Sequence, residues 1–192
     1  MEILSQEPSV KVFKNILDKE CCKRIIMKNG ENLIPSYVTN GKKLNISKHR
    51  TSSSIFISKN SQELQKLKSN ICNLNKWEIS KTENFQFVRY EENQKYEPHY
   101  DAFDISELKN SATKYQRIMT NIIYLNDNFD GGETFFPMLN INVKPEIGKM
   151  LTFENCIPTS QYLNPFSLHQ SRPIKRGKKN ILTLWFIDDI AQ

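Results

Sequence analysis

The sequence predicts an α+β protein, with helices in the first eighty residues and a strand-rich remainder folded as an antiparallel sandwich or barrel. Three observations carry this. Apolar residues recur at helical spacing in two early segments. From residue 83 they come instead in short β-branched and aromatic runs, broken by Gly, Pro, Asn and Asp clusters. And 192 residues that are 38% hydrophobic supply one core, with no apolar run long enough to span a bilayer.

The elements follow in order. The start, MEILSQEPSVKVF, lacks the basic opening and apolar stretch of a signal peptide, so a cytoplasmic or otherwise non-secreted protein is expected. Residues 17–29, LDKECCKRIIMKN, read as a helix with Asp18 at its N-cap and Gly30 just past its end. Residues 60–76, NSQELQKLKSNICNLNK, read as a second, with Leu64, Leu67, Ile71 and Leu74 on one stripe. Both should cover a sheet. The strand candidates are ENFQFVRY (83–90), QRIMTNIIYL (116–125), KMLTFEN (149–155) and NILTLWFID (180–188). Between them DAFDISELKNSATKYQ, 101–116, is a long polar insertion of the kind that forms a lid beside a site.

The net charge is +6, with 21 Lys against 6 Arg and abundant Asn and Ile. That bias fits a virus or another AT-rich genome. The lysines are scattered and not interleaved with aromatics, which argues against a nucleic-acid face. Cys21, Cys22, Cys72 and Cys156 form no CxxC pair, and the vicinal pair sits in a helix where a bridge would strain the backbone. They read as free thiols in a reducing compartment.

The chain has three histidines. His99 stands two residues before Asp101 in YEPHYDAFD, and on a strand positions two apart share a face, with Tyr100 on the other. An imidazole and a carboxylate aimed at one point are two-thirds of the two-His, one-carboxylate triad that leaves sites open on iron. His49 or His169 could complete it. His49, in the polar LNISKHRTSSS, reads as a surface residue; His169 lies in the strand-rich half. Ten residues on, Lys179 opens the last strand, where a buried cation requires an anion such as a dicarboxylic cosubstrate.

Several of these segments, in this order and spacing, resemble the prolyl 4-hydroxylases, members of the iron(II)- and 2-oxoglutarate-dependent dioxygenases. The resemblance runs from VFKNILDKECCKRII through RTSSSIFI, ENFQFVRYEENQKYEPHYD, RIMTNIIYLNDNFDGGETFFP and VKPEIGKMLTFEN to LHQSRPIKRGKKN. It implies one catalytic domain over 1–192: a double-stranded β-helix, or jelly roll, over 83–190, flanked by a mostly helical 1–80. It implies His99, Asp101 and His169 as iron ligands and Lys179 as the partner of the far carboxylate of 2-oxoglutarate. Tyr90 and Thr134 would line the cosubstrate pocket. Tyr96, Arg117, Trp185 and Glu83 would border the peptide groove, and the 102–115 loop would close over it. The implied reaction hydroxylates peptidyl proline with O2, releases succinate and CO2, and uses ascorbate as reductant.

Three positions depart from the family pattern. Asn93 stands where a turn glycine is usual, Gln170 where a small residue follows the distal His, and Asn180 where an aromatic follows the lysine. Asn tolerates a left-handed turn, so the first departure preserves the fold. Competing readings keep the chemistry on a lysyl residue, another protein or a nucleic-acid base, or make the chain an inactive jelly roll that binds peptides. Zinc also suits two His and an Asp, but zinc hydrolysis gives Lys179 no role.

Overall fold

A computed structural model describes residues 1–39, 44–58, 61–108 and 113–190. The chain opens with β1 (Glu2–Gln6), β2 (Ser9–Phe13) and α1 (Lys19–Asn29). Short strands β3 (Ile34–Pro35), β4 (Tyr37–Thr39), β5 (Leu44–Ile46) and β6 (Ser53–Phe56) lead to α2 (Gln62–Asn75). Then come β7 (Gln86–Tyr90), β8 (Tyr96–His99), the single turn α3 (Ile105–Leu108) and β9 (Tyr115–Tyr124). The second half holds β10 (Asp130–Gly131), β11 (Thr134–Phe136), β12 (Ile141–Val143), β13 (Met150–Glu154), β14 (His169–Ser171), β15 (Ile174–Arg176) and β16 (Lys179–Asp189).

Both helices form where caps allow. Asp18 accepts the Cys21 N–H and Ser61 that of Leu64, satisfying donors a helix start leaves open. Gly30 closes α1; Lys76, in the left-handed region at φ 53°, closes α2. Cys22 and Ile25 of α1 with Leu64, Leu67 and Ile71 of α2 pack on Phe85, Phe87, Leu182, Leu184 and Phe186. The helices therefore cover a sheet, as their patterns require. Leu74, expected on the buried stripe, is exposed: the packed face of the last turn of α2 runs through Ile71, buried Cys72 and Asn75, whose amide reaches Asn121 of the sheet, and Leu74 lies off that face.

That sheet has the order β1-β2-β13-β9-β16-β7-β6-β3, with antiparallel pairing throughout. A four-stranded sheet, β12-β11-β14-β8, faces it. Between the two lies a second core of Val88, Tyr90, Ile122, Tyr124, Phe136, Phe153 and Ile181. This is the mainly β jelly roll that was expected. One correction concerns residues 1–80, which carry both long helices but also six strands, four of them in the large sheet. β1 and β2 join it through β13, far away in sequence, a pairing no local pattern reveals. Of the 101–116 insertion, residues 109–112 lie outside the described residues; Ile105–Leu108 form one helical turn.

The turn before β8 is kept by Asn93, whose φ of 65° is the left-handed conformation the family's glycine would take. No described helix is long and apolar enough to cross a membrane. All four cysteines are unpaired, as expected.

Candidate metal and cosubstrate site

The smaller sheet brings two histidines together. His169 on β14 is the direct cross-strand partner of His99 on β8, and their ring centroids stand 4.3 Å apart. β8 stops at His99, so Asp101 does not reach the site by continued pleating: the chain bends, and Asp101 turns back between the sheets. Its Oδ1 lies 3.6 Å from His99 Nε2, and its Oδ2 3.8 Å from His169 Nε2. Both gaps exceed hydrogen-bond length, and the donor atoms of the trio lie within 4.8 Å of one another.

The orientation of both rings is fixed from behind. His99 Nδ1 lies 2.8 Å from the Glu97 carbonyl and His169 Nδ1 3.0 Å from that of Ser167. A carbonyl only accepts, so each ring carries a proton on Nδ1 and turns Nε2 toward Asp101. Burial, then the neighbouring His169, holds His99 far below the usual imidazole range, at about 3, so it stays neutral. Burial pushes the Asp101 carboxyl up, but its electrostatic surroundings, Arg117 and the Trp185 indole N–H among them, more than offset this and keep it ionised. Two imidazoles and one carboxylate, converging at non-bonded distances, are a donor set that can hold a divalent metal ion.

The larger sheet grips the carboxylate. Asp101 Oδ2 accepts the Trp185 indole N–H at 3.0 Å and the Thr120 hydroxyl at 2.7 Å. Arg117 lies over the Trp185 ring, 3.7 Å from its centroid, and gives two hydrogen bonds to Glu83, at 2.6 and 3.0 Å. Tyr96 stacks on His99 with centroids 3.4 Å apart, and the Arg50 guanidinium covers the other side of the system, 4.9 Å from the Tyr96 ring. So Glu83 and Arg117 satisfy each other, and Tyr96 braces His99.

Lys179 is buried beside this centre. Its ammonium donates to the Gly132 carbonyl at 2.7 Å and the Ser171 hydroxyl at 2.9 Å, with the Tyr90 and Tyr124 rings 5.2 and 5.7 Å away. Burial pulls its pKa down to about 7, which Glu133 resists through space. Gly132 sits at φ +68°, which glycine takes without strain, and a Cβ there would press on Ile174 Cδ1 at 2.5 Å and on the Lys179 stem at 3.2 Å. Thr134 accepts or gives a hydrogen bond to the Tyr124 hydroxyl at 2.8 Å. His49 is at the surface, 2.5 Å from Glu97, as its polar context predicted.

Four contributors escaped the sequence: Tyr124, Ser171, Thr120 and Asn155. A signal existed for Ser171, two residues past His169 and therefore on its face of β14. Tyr124 and Thr120 share a face of β9 in the same way. Nothing local marks Asn155.

The profile of the 2OG-Fe(II) oxygenase superfamily matches residues 85–187, more than half of the chain, so this jelly roll with its imidazoles and carboxylate is of that class. A mimivirus protein named "Putative prolyl 4-hydroxylase" (Acanthamoeba polyphaga mimivirus) is 35% identical over 178 residues, which cover 91% of this chain and 72% of that one. "Probable prolyl 4-hydroxylase 3" of Arabidopsis thaliana is 34% identical over 207 residues, covering 96% and 71%. The viral collagen prolyl hydroxylase of Paramecium Bursaria Chlorella virus-1, solved as its 2OG complex, superposes with a TM-score of 0.72 at 26% identity, covering 93% of this chain and 95% of that one. The chain thus belongs to the prolyl 4-hydroxylase family of the 2OG-Fe(II) oxygenases. It is a 2-oxoglutarate-dependent dioxygenase, and the family implies Fe(II), 2-oxoglutarate and O2.

Proposed function

We propose that this enzyme hydroxylates peptidyl proline in an extended, proline-containing peptide, with His99, Asp101 and His169 holding Fe(II) and Lys179 holding the far carboxylate of 2-oxoglutarate. One observation supports the cosubstrate assignment above the rest. Lys179 is a buried cation whose hydrogen-bond partners are a carbonyl and a hydroxyl, both neutral. Its partner Ser171 lies two residues along β14 from His169, roughly 7 Å by strand rise. A five-carbon dicarboxylate matches that span, with one end toward the trio and the other at the ammonium. Tyr90, Thr134 and Tyr124 line the same end and exclude water around it.

Bound Fe(II) would supply the O2 chemistry in which 2-oxoglutarate becomes succinate and CO2 while the substrate gains one oxygen atom. The chain supplies position. Tyr96 keeps the His99 ring from turning, and the Trp185 indole and Thr120 hydroxyl hold Oδ2 of Asp101. Arg117, paired with Glu83 and lying on Trp185, keeps that indole aimed and edges the groove in which a peptide would lie. Exposed Phe56 is tilted against Trp185 with centroids 6.3 Å apart, an apolar wall suited to a proline ring. In this reading 1–192 is one catalytic domain, and ascorbate restores iron(II) after uncoupled turnover. Four free thiols suit a reducing, non-secreted location.

The test is anaerobic titration with Fe(II) and 2-oxoglutarate, followed by air and a proline-rich peptide. A visible metal-to-ligand charge-transfer band, then succinate and a one-oxygen mass gain on the peptide, are expected. His99→Ala and His169→Ala should lose the band and the product. A band without mass gain would reject the prolyl peptide and keep the dioxygenase.

A further inference from the structure

The Asp101 carboxylate is held by a chain of hydroxyl and amide groups that leads away from the metal position into the core. Thr120, fully buried on β9, sits 2.7 Å from Asp101 Oδ2 and within hydrogen-bond reach of the Asn155 side chain. The hydroxyl has one proton, and the 2.7 Å contact to Asp101 Oδ2 is shorter than the 3.2 Å contact to Asn155 Oδ1, so that proton points at Asp101. The hydroxyl oxygen must then accept from its other neighbour. That neighbour is Asn155, whose Nδ2 stands 2.9 Å away. Asn155 is itself fully buried. Its carbonyl accepts the Asn164 N–H at 2.9 Å and so anchors the turn that ends at Ser167, whose carbonyl receives His169 Nδ1–H. The side chain of Asn155 thus reaches one presumptive ligand through Thr120, while its backbone holds the turn that orients another.

We infer that Thr120 and Asn155 act as a positioning pair: Asn155 fixes the direction of the Thr120 hydroxyl, and Thr120 draws Oδ2 of Asp101 back so that Oδ1 is the oxygen offered to the metal. With Oδ2 already taking the Thr120 hydroxyl and the Trp185 indole, two of its acceptor positions are filled from the side of the large sheet. Asp101 therefore serves as a one-oxygen ligand, and the remaining metal positions stay free for a chelating cosubstrate. This rests on the Fe(II) reading of the trio. The pair has no other evident use. A valine in place of Thr120 would fill the same volume without a polar group.

The experiment measures Fe(II) affinity of the apo protein by anaerobic competition with a chromogenic chelator, and the charge-transfer band with 2-oxoglutarate. Thr120→Val should bind Fe(II) about tenfold to a hundred-fold more weakly and shift the band. Thr120→Ser, which keeps the hydroxyl, should restore both. Asn155→Ala should weaken binding by a smaller factor, and the double variant should bind no worse than Thr120→Val, since Asn155 acts only through the hydroxyl that is gone. Thr152→Val is the control: Thr152 gives Asn121 a buried hydrogen bond of 2.8 Å between the same two strands, away from the trio. It should lower the melting temperature and leave Fe(II) affinity unchanged. Wild-type affinity in Thr120→Val, no rescue by serine, or additive losses in the double variant would each overturn the pairing. If the wild type and Thr152→Val both fail to bind Fe(II), the metal reading falls, and this inference with it.

Discussion

Two cations flank the site, Lys179 buried and Arg117 half-buried, and they are kept in opposite ways. Arg117 meets Glu83 through two charge-assisted hydrogen bonds and lies on the Trp185 ring. Its charge is compensated inside the fold: burial disfavours it, yet Glu83 more than offsets this and raises its pKa. Lys179 has a carbonyl and a hydroxyl, and its pKa falls to about 7. The protein has closed one electrostatic account internally and left the other open. A paired cation is architecture. Lys179 has no ion-pair partner among the described residues, and a lysine at this depth sheds its proton or is completed by a ligand, because an uncompensated buried charge costs stability.

Lys179→Met breaks the comparison most severely. The length and the apolar stem remain, and the charge is lost. Binding of 2-oxoglutarate should weaken by roughly a hundred-fold or more, as for truncation of one member of a buried charge pair. The apo protein should be at least as stable as wild type at pH 6, since a desolvated ammonium has been removed. Calorimetric titration and thermal melts read the two halves separately. A stability loss without a binding loss would make Lys179 structural.

Glu83→Gln should behave the other way round. It strands the Arg117 guanidinium and should cost about 3 kcal/mol of stability. The dissociation constant for 2-oxoglutarate should stay within about twofold, because no contact of Lys179 changes. Peptide turnover should fall, as the indole behind Asp101 loses its fixed backing. A chemical-denaturation curve beside a cosubstrate titration decides this.

The same contrast gives a pH dependence at one end only. Unfolded, Lys179 keeps its proton to about pH 10; folded and without cosubstrate it gives it up near 7. Between those values the unfolded chain binds more protons, so this residue makes the apo protein more stable as pH rises from 7 toward 10. A carboxylate at the ammonium reverses the shift. Above pH 7, then, 2-oxoglutarate binding takes up a proton, and affinity falls with pH, by up to tenfold per unit. Calorimetry in buffers of different ionisation enthalpy should show this uptake at pH 8 and little of it at pH 6. Arg117, paired throughout, contributes none.

Much of this was legible in sequence, for physical reasons. A chain with three histidines leaves few ways to build a metal site, and His-x-Asp stands out because polar groups two apart on a strand converge. Here they converge by a bend after His99, a different route from the continued pleating that was expected. Lys179 was legible because a lysine opening an apolar strand demands an explanation. Asn93 was legible as a turn residue. What stayed hidden is tertiary. Thr120 and Asn155 look like ordinary polar residues within strand-like runs, and only the β9–β13 pairing brings them to one carboxylate. β1 and β2 were missed for the same reason, since their partner β13 begins 137 positions after β2 ends (Phe13 to Met150). Leu74 misled because apolar spacing alone does not centre the buried face: polar Asn75, which bonds Asn121 of the sheet, lies on it, and Leu74 falls outside.

The smallest test works on what little compensation Lys179 has. Ser171→Ala removes one of its two acceptors and leaves the Gly132 carbonyl. Hydrogen bonds to the charged form hold a lysine's pKa up, so losing one should lower the proton-uptake midpoint by a fraction of a unit below 7. Stability should change little at pH 8, where the amine is largely neutral in both proteins. Binding of 2-oxoglutarate should weaken only a few-fold, because the incoming carboxylate replaces most of what the serine gave. The uptake measured at pH 7 should rise, since more of the free protein starts deprotonated. An unchanged midpoint would mean that the serine hydroxyl points elsewhere, and that the Gly132 carbonyl alone steadies the ammonium until its partner arrives.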